Sequence, residues 1–235
     1  MKHTFFIKDW LNSFLSLLFP HCCVVCGRPL AKGEECLCIM CNINLPRTNY
    51  HLWKDNPVER LFWGQIPLER ATSFFFYRKG SDFRQILHQL KYGGKKEVGI
   101  IMGRYMAAEL SDSGFFEGVD VIIPIPLHKK KQQIRGYNQS ECIARGIAAV
   151  TGITVCVESV VRRKNTETQT RKSVFERWEN VDGIFELNHA DSLTGKHILI
   201  VDDVLTTGAT IIACASRLAE VEGTRTSVLT LAMAD

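Results

Sequence analysis

The sequence predicts an α/β fold, a mostly parallel sheet with helices on both faces, preceded by a small cysteine-rich module. Two observations predict it. Apolar strand patterns alternate with helical patterns from about residue 66 onward, and such strands are typical of parallel sheets that helices cover on both faces. Six of the nine cysteines lie between Cys22 and Cys41, which marks a separate local site near the N-terminus.

Length and composition are those of an ordinary folded protein. The 235 residues suffice for one domain and a small appendage, with 46% hydrophobic and 23% charged residues. The net charge of +4 permits an anionic ligand without requiring nucleic acid. We predict an amphipathic helix over 1–20, a zinc-ribbon-like module over 21–47, a linker over 48–65 and the α/β domain over 66–235.

The N-terminal segment 5–19 is apolar but interrupted by charged and polar residues, and it is too short to span a bilayer. No small-residue cleavage site follows it. Its apolar side chains recur at helical spacing, namely Leu11, Phe14, Leu15 and Leu18. We therefore expect an amphipathic helix that packs on the domain, and a peripheral contact with a membrane is the alternative.

Two CxxC pairs predict a metal site, and its ligands are Cys23, Cys26, Cys38 and Cys41. Each pair presents two thiolates from one tight turn, and two such turns complete a tetrahedral Zn²⁺ site. A segment this short has no core of its own, so a structural metal would supply its folding energy. A redox CxxC and an iron–sulfur site are the alternatives. Cys22 and Cys36 lie close enough in sequence to replace a ligand.

Strand and helix signals alternate through the rest of the chain. Strands are predicted at 71–77, 119–123, 153–161, 197–201 and 227–232, and helices at 82–92, 98–110, 138–150 and from Gly208 onward. In parallel sheets, ligands bind beyond the carboxyl ends of the strands. The residues that follow each strand are therefore the candidates for function.

The strongest chemical signal follows the strand at 197–201. Two adjacent acids, Asp202 and Asp203, precede a bend of small residues that opens a helix: Thr206, Thr207, Gly208, Ala209 and Thr210. Free backbone N–H groups at a helix start bind phosphate, and carboxylates accept hydrogen bonds from sugar hydroxyls. A sugar phosphate satisfies both halves. The alternative is a capped strand–turn–helix without a ligand.

Residues 201–210 resemble the motif with which type I phosphoribosyltransferases bind 5-phosphoribosyl-1-pyrophosphate (PRPP). This resemblance implies a type I phosphoribosyltransferase-like sheet. A basic segment after the strand at 119–123 resembles the loop that holds pyrophosphate in those enzymes, and its candidates are Lys129, Lys131 and Arg135. The resemblance also implies a closing loop over 162–171, with Lys164 and Gln169 as its candidates.

The order of the motifs resembles the ComF family over nearly the whole chain. The CxxC pairs come first, then Leu90-Lys91-Tyr92, residues 124–126 and 135–139, Gln169, and last the bend. The resemblance implies a bacterial, cytoplasmic protein linked to natural competence, with single-stranded DNA and the DNA-uptake machinery as partners. It further implies Mg²⁺ bound together with PRPP.

Two interpretations stay open at this point. One is a phosphoribosyltransferase that binds Mg²⁺–PRPP at Asp202, Asp203 and the bend. The other is a non-catalytic DNA-binding or adaptor protein on the same scaffold, because a fold does not settle a function. No residue stands out as a general base, so the catalytic residues and the acceptor substrate are left open.

Overall fold

The computed structural model of this protein describes residues 21–163 and 184–234. The N-terminal helix expected over 1–20 lies outside the described residues, as do Lys164 and Gln169. No helix in the part of the chain that the structure describes is long and apolar enough to cross a membrane.

The centre of the fold is a five-stranded parallel sheet, as the sequence predicted. Its strands are β1 (Ala71–Tyr77), β2 (Val121–Pro124), β3 (Thr154–Val155), β6 (His197–Leu205) and β7 (Arg225–Ala234). They lie in the order β1-β7-β6-β2-β3, and each neighbouring pair is parallel. A separate antiparallel pair consists of β4 (Val160–Arg162) and β5 (Phe185–Leu187).

Helices cover both faces of the sheet. They are α1 (Ile39–Ile43), α2 (Pro57–Phe62), α3 (Arg84–Tyr92), α4 (Lys96–Ser111), α5 (Lys129–Arg135), α6 (Gln139–Thr151) and α7 (Ala209–Leu218), with 3-10 turns at Tyr50–Leu52 and Ala190–Leu193. Alternation along β6 sends Leu199 and Val201 into a core with α3, α4 and α6. Ile198 and Ile200 enter a second core with α2 and α7.

Helices α4 and α6 pack backbone against backbone because glycines face each other at their contact. A Cβ atom on Gly103 would lie 2.2 Å from the carbonyl oxygen of Ile143. A Cβ atom on Gly146 would lie 2.0 Å from the carbonyl oxygen of Ile100. Only glycine allows this approach, which fixes the position of α6 and of the polar residues at its start.

The segment 48–65, which we expected to be a linker, is folded. Asn56 caps α2 because its side chain accepts hydrogen bonds from the N–H groups of Val58 and Glu59. The Glu59 carboxylate in turn accepts a hydrogen bond from the Asn56 N–H, which completes a capping box. Val58 and Phe62 are fully buried against the sheet. Two apolar side chains spaced one helical turn apart were too weak a periodic signal to predict a helix this short.

Three further elements differ from the sequence prediction. Strand β6 continues to Leu205, so Asp202 and Asp203 lie within the strand rather than after it. The basic segment expected as a loop forms helix α5, which His128 caps. The strand expected over 153–161 is divided into β3 and β4, because β4 leaves the main sheet and pairs with β5.

The cysteine-rich module packs on α4. Arg47 donates a hydrogen bond from Nε to Glu109 at 2.6 Å, and Arg104 pairs with Glu35. Buried Leu37 and Leu45 belong to the same apolar core as α4. The module is therefore continuous with the core of the α/β domain.

Candidate functional site

The candidate site lies beyond the carboxyl ends of β2 and β6. These strands are neighbours in register from Val121 opposite Ile198 to Pro124 opposite Val201. The chain continues from β2 to β3 on one side, and β6 continues to β7 on the other. The strand order therefore reverses between β2 and β6, and ligands of parallel sheets bind in the crevice at such a point.

The bend after β6 opens onto a cleft of about 240 Å³, part of which is open to solvent. Lining residues are Asp202, Val204, Leu205 and the run from Thr206 to Ile211. Thr206 and Thr207 are exposed to this cleft, and α7 begins directly after Gly208. All five bend residues predicted from the sequence are thus brought together at one helix start, where backbone N–H groups lack intrahelical partners.

The backbone conformation and the packing at position 208 both require glycine. Its φ of +75° belongs to the left-handed region, and a Cβ atom there would lie 2.6 Å from Cδ2 of Leu61. The bend is therefore pressed against the end of α2. Helix α2, which lies in the segment 48–65 that we expected to be a linker, therefore packs against the bend that is the candidate phosphate-binding site.

Asp202 is one of the residues that line the cleft. Its Oδ1 accepts hydrogen bonds from Ser140 Oγ and from the N–H of Asp203, both at 2.8 Å. Burial, together with the neighbouring Asp203 carboxylate, raises the pKa of Asp202 to about 7. These surroundings therefore favour the neutral form of Asp202 more than water does.

Asp203 is buried beside Lys91, which comes from the last turn of α3. The Lys91 Nζ lies 3.0 Å from Asp203 Oδ1, and the two side chains are 20% and 12% exposed. Asp203 is not among the residues that line the cleft. The two acids that sequence analysis treated alike therefore have different surroundings: one faces the cleft and the other is held by a lysine.

Four cations lie close enough for their charges to interact, and two of them, Lys91 and Arg162, also interact with the two acids. Lys131 and Arg135 are half-buried on α5, and burial together with the charges of Arg162, Arg135 and Lys91 lowers the pKa of Lys131. Burial lowers the pKa of Arg162 as well, and Asp202 opposes that shift. A bound anion would relieve the mutual repulsion of this group, so the region is suited to a ligand with several negative charges. Lys129, also predicted from the sequence, is exposed to solvent.

Sequence analysis gave no individual role to three residues of this region, Lys91, Ser140 and Arg162, although Lys91 belongs to a family motif and Arg162 begins the predicted closing loop. Lys91 precedes β6 by more than a hundred residues, and its proximity to Asp203 depends on how α3 packs. Ser140 follows the helix cap Asn138, so its hydroxyl looked like part of an ordinary helix start. The signal available in advance was position, since Ser140 lies in the first turn of α6, the second helix after the carboxyl end of β2.

The four cysteines predicted as metal ligands form one cluster. The Sγ atoms of Cys23, Cys26, Cys38 and Cys41 all lie within 4.8 Å of one another. Sulfur atoms at this separation fit the tetrahedral geometry of a structural metal such as zinc. Arg28 donates hydrogen bonds to Cys26 at 3.4 Å and to Cys38 at 3.7 Å, and it lowers the pKa of Cys26 to about 6. A lowered thiol pKa favours the thiolate that binds metal.

The two extra cysteines lie apart from that cluster. Cys22 is exposed, whereas Cys36 is buried with its Sγ 4.0 Å from the sulfur of Met102. Burial raises the pKa of Cys36 to about 12. Burial also raises the pKa of Cys142 and of Cys214, to about 11 and about 12. Thiols of this kind behave as small apolar side chains.

Comparison with known proteins identifies the family. Residues 137–234 match the phosphoribosyl transferase domain family. The DNA utilization protein YhgH of Shigella flexneri is 29% identical over 217 residues, which cover 86% of this chain and 92% of that protein. The competence protein ComFC of Bacillus subtilis is 26% identical over 213 residues, which cover 89% of this chain and 76% of that one. The domain match and these relatives together support a ComF-family, phosphoribosyltransferase-like protein.

The α/β domain is phosphoribosyltransferase-like, and the matched residues begin at Tyr137 and include α6, β6, the bend and β7. Among solved structures, glutamine phosphoribosylpyrophosphate amidotransferase from B. subtilis covers 61% of this chain and 30% of its own, at 19% identity and a TM-score of 0.42. The cysteine cluster precedes the matched domain.

Proposed function

We propose that this ComF-family protein binds PRPP together with Mg²⁺ and transfers its phosphoribosyl group to an acceptor. The observation that carries the proposal is a cleft lined by Asp202 and a threonine-rich helix start, with Asp203 next in the strand and paired to Lys91, one of four mutually close cations. PRPP contains what each part would recognise: a 5′-phosphate, sugar hydroxyls and a pyrophosphate. The triphosphate of a nucleoside triphosphate would also pair with the cations, but such a ligand carries no separate 5′-monophosphate for the bend to bind.

The proposed roles follow from position. The bend residues Thr206, Thr207, Gly208, Ala209 and Thr210 would hold the 5′-phosphate with backbone N–H groups and hydroxyls. Asp202 and Asp203 would accept hydrogen bonds from the ribose 2′- and 3′-hydroxyls. Lys131 and Arg135 would stabilise the negative charge that develops on the leaving pyrophosphate, with Lys129, Lys164 and Gln169 as further candidates. Mg²⁺ bound together with PRPP would be held near Asp202 and Asp203 and would offset part of the negative charge of the pyrophosphate.

A measurement of pyrophosphate release tests the transfer directly. We expect release from Mg²⁺–PRPP to depend on an added acceptor, which a scan of nucleobases and of single-stranded DNA would identify. The Arg135→Gln variant should reduce the rate by about 10- to 100-fold, because it removes one charge-assisted contact with the leaving group. Calorimetric binding of PRPP without release under any acceptor would contradict catalysis while leaving the binding site intact.

The relatives suggest where such an activity would be used. Their names associate them with competence and with DNA utilization. We propose a cytoplasmic role linked to the uptake and handling of incoming single-stranded DNA.

A non-catalytic DNA-binding protein is the second candidate, and two exposed tryptophans favour it. Trp53 and Trp63 are 52% and 58% exposed, and the Arg60 guanidinium stacks 5.6 Å from the Trp63 ring. Exposed aromatic rings beside arginine are typical stacking sites for single-stranded bases. Binding of single-stranded DNA with a steep salt dependence, in a protein that ignores PRPP, would support this candidate.

We further propose that the cysteine cluster holds one structural Zn²⁺, which contributes to the stability of the module. Modification of all thiols with a mercurial reagent should release one zinc ion per chain, detected with a colorimetric chelator. Cys38→Ser should lower the zinc content and the Tm, because it removes a ligand. Cys22→Ser is the matched control and should keep the full zinc content, since Cys22 is exposed and lies outside the cluster. Iron in place of zinc would contradict the proposal.

A further inference from the structure

The contact between Lys91 and Asp203 is built into the fold. Two contacts hold the end of α3 on either side of Lys91. Tyr137 Oη donates a hydrogen bond to the Leu90 carbonyl oxygen at 2.7 Å. The Arg135 guanidinium makes a cation–π contact with Tyr92, 5.6 Å from the ring centroid. The residues 90–92 are thus held by the segment 135–137, which leads from α5 to α6. Lys91 is therefore directed toward Asp203 by neighbours on both sides.

The position of Lys91 links two parts of the site. Its ammonium group contacts the acid that would bind the sugar, and it is also one of the cations whose charge acts on Lys131. A ligand that brings only sugar hydroxyls to Asp203 must compete with an existing ion pair. A ligand that also brings a pyrophosphate offers Lys91 a second negative partner.

We infer that Lys91 determines specificity for a pyrophosphorylated sugar phosphate by exchanging Asp203 for the ligand's pyrophosphate. This inference rests on the proposed PRPP-binding function. In the free protein, Lys91 neutralises Asp203 and holds the acid away from hydroxyl donors. When PRPP binds, the ammonium turns to the pyrophosphate oxygens and Asp203 becomes free to accept from the ribose. A sugar phosphate without pyrophosphate lacks the group that draws Lys91 away, and it binds weakly.

The test compares two ligands, Mg²⁺–PRPP and ribose 5-phosphate, by calorimetry on the full chain. The Lys91→Gln variant should bind PRPP about tenfold or more weakly, because one charge-assisted contact is lost. The same variant should bind ribose 5-phosphate as well as or better than the unmodified protein, since Asp203 no longer has a competing partner. The preference for PRPP over ribose 5-phosphate should therefore fall by at least the same factor.

Two other variants separate this role from a general effect. Lys95→Gln removes an exposed lysine just beyond α3 and should leave both affinities unchanged. Lys91→Arg keeps the positive charge and should retain more of the preference for PRPP than Lys91→Gln. This comparison remains informative even if Lys91→Gln lowers the stability of the protein. The inference would be overturned if Lys91→Gln lowered the affinities for both ligands equally, or if it left the affinity for PRPP unchanged. An unmodified protein that binds neither ligand would refute the proposed function itself.

Discussion

Replacement of both acids, Asp202→Asn with Asp203→Asn, should abolish the thermal stabilisation that Mg²⁺–PRPP gives to this protein. At a ligand concentration of about 100 times Kd, binding stabilises the native state by about 2.7 kcal/mol, which corresponds to about 5–10 °C in Tm for a chain of this size. The double variant should shift by less than about 1 °C under the same conditions, because the amide groups no longer accept strongly from the sugar hydroxyls. Differential scanning fluorimetry measures both shifts.

The matched control removes two acids that are exposed and lie elsewhere, Asp82→Asn with Asp112→Asn. It changes the net charge equally and should keep the full shift with PRPP. The circular dichroism spectrum of the double variant should be compared with that of the unmodified protein, so that a lost shift can be assigned to lost binding rather than to unfolding. A normal PRPP shift in the double variant would show that the two acids do not hold the ligand.

Gly146→Val should destabilise the protein by about 3 kcal/mol or more, or prevent it from folding, because overpacking against a backbone cannot be relieved by a side-chain rotation. Even a single Cβ atom at this position would lie 2.0 Å from the Ile100 carbonyl oxygen and 3.0 Å from the Gly103 Cα. A loss of about 3 kcal/mol corresponds to a fall in Tm of about 6–12 °C. Urea unfolding followed by circular dichroism measures the change.

Ala149→Val is the control for this variant because it places a valine on the same helix at an exposed position. It should lower the free energy of unfolding by less than about 1 kcal/mol, the range of helix propensity and surface effects. If both valine variants proved equally stable, the close contact between α4 and α6 would be wrong. A displaced α6 would also move Ser140 away from Asp202, so a folded Gly146→Val protein should bind PRPP more weakly.

Local patterns were sufficient where the chemistry is contiguous in the chain. The bend at 206–210 was predicted because its threonines and glycine follow a short apolar strand, and backbone N–H groups at a helix start need no partner from elsewhere. The four cysteines were predicted because each CxxC pair forms its own turn. The two extra cysteines could not be excluded from sequence, since their distance from the cluster depends on how the module folds.

Patterns in the sequence were weaker where a short element depends on packing. The sequence predicts a linker where α2 lies, because its polar surroundings conceal two buried side chains, Val58 and Phe62. The sequence predicts that the strand ends before Asp202 and Asp203, because charged residues rarely extend a buried strand. The pairing of β6 with β7 continues through them, and this pairing is a long-range contact.

The sequence by itself predicted the parallel α/β architecture, the four-cysteine cluster and the position of the bend at a helix start, because each follows from local residue patterns. Only the tertiary structure decided that Lys91 holds Asp203, that Ser140 donates to Asp202 and that Gly208 abuts Leu61. These contacts join segments that are 62 to about 150 residues apart, and their charges and shapes meet only after helices have packed on the sheet. Periodicity and motif spacing carry no information about distances of that kind.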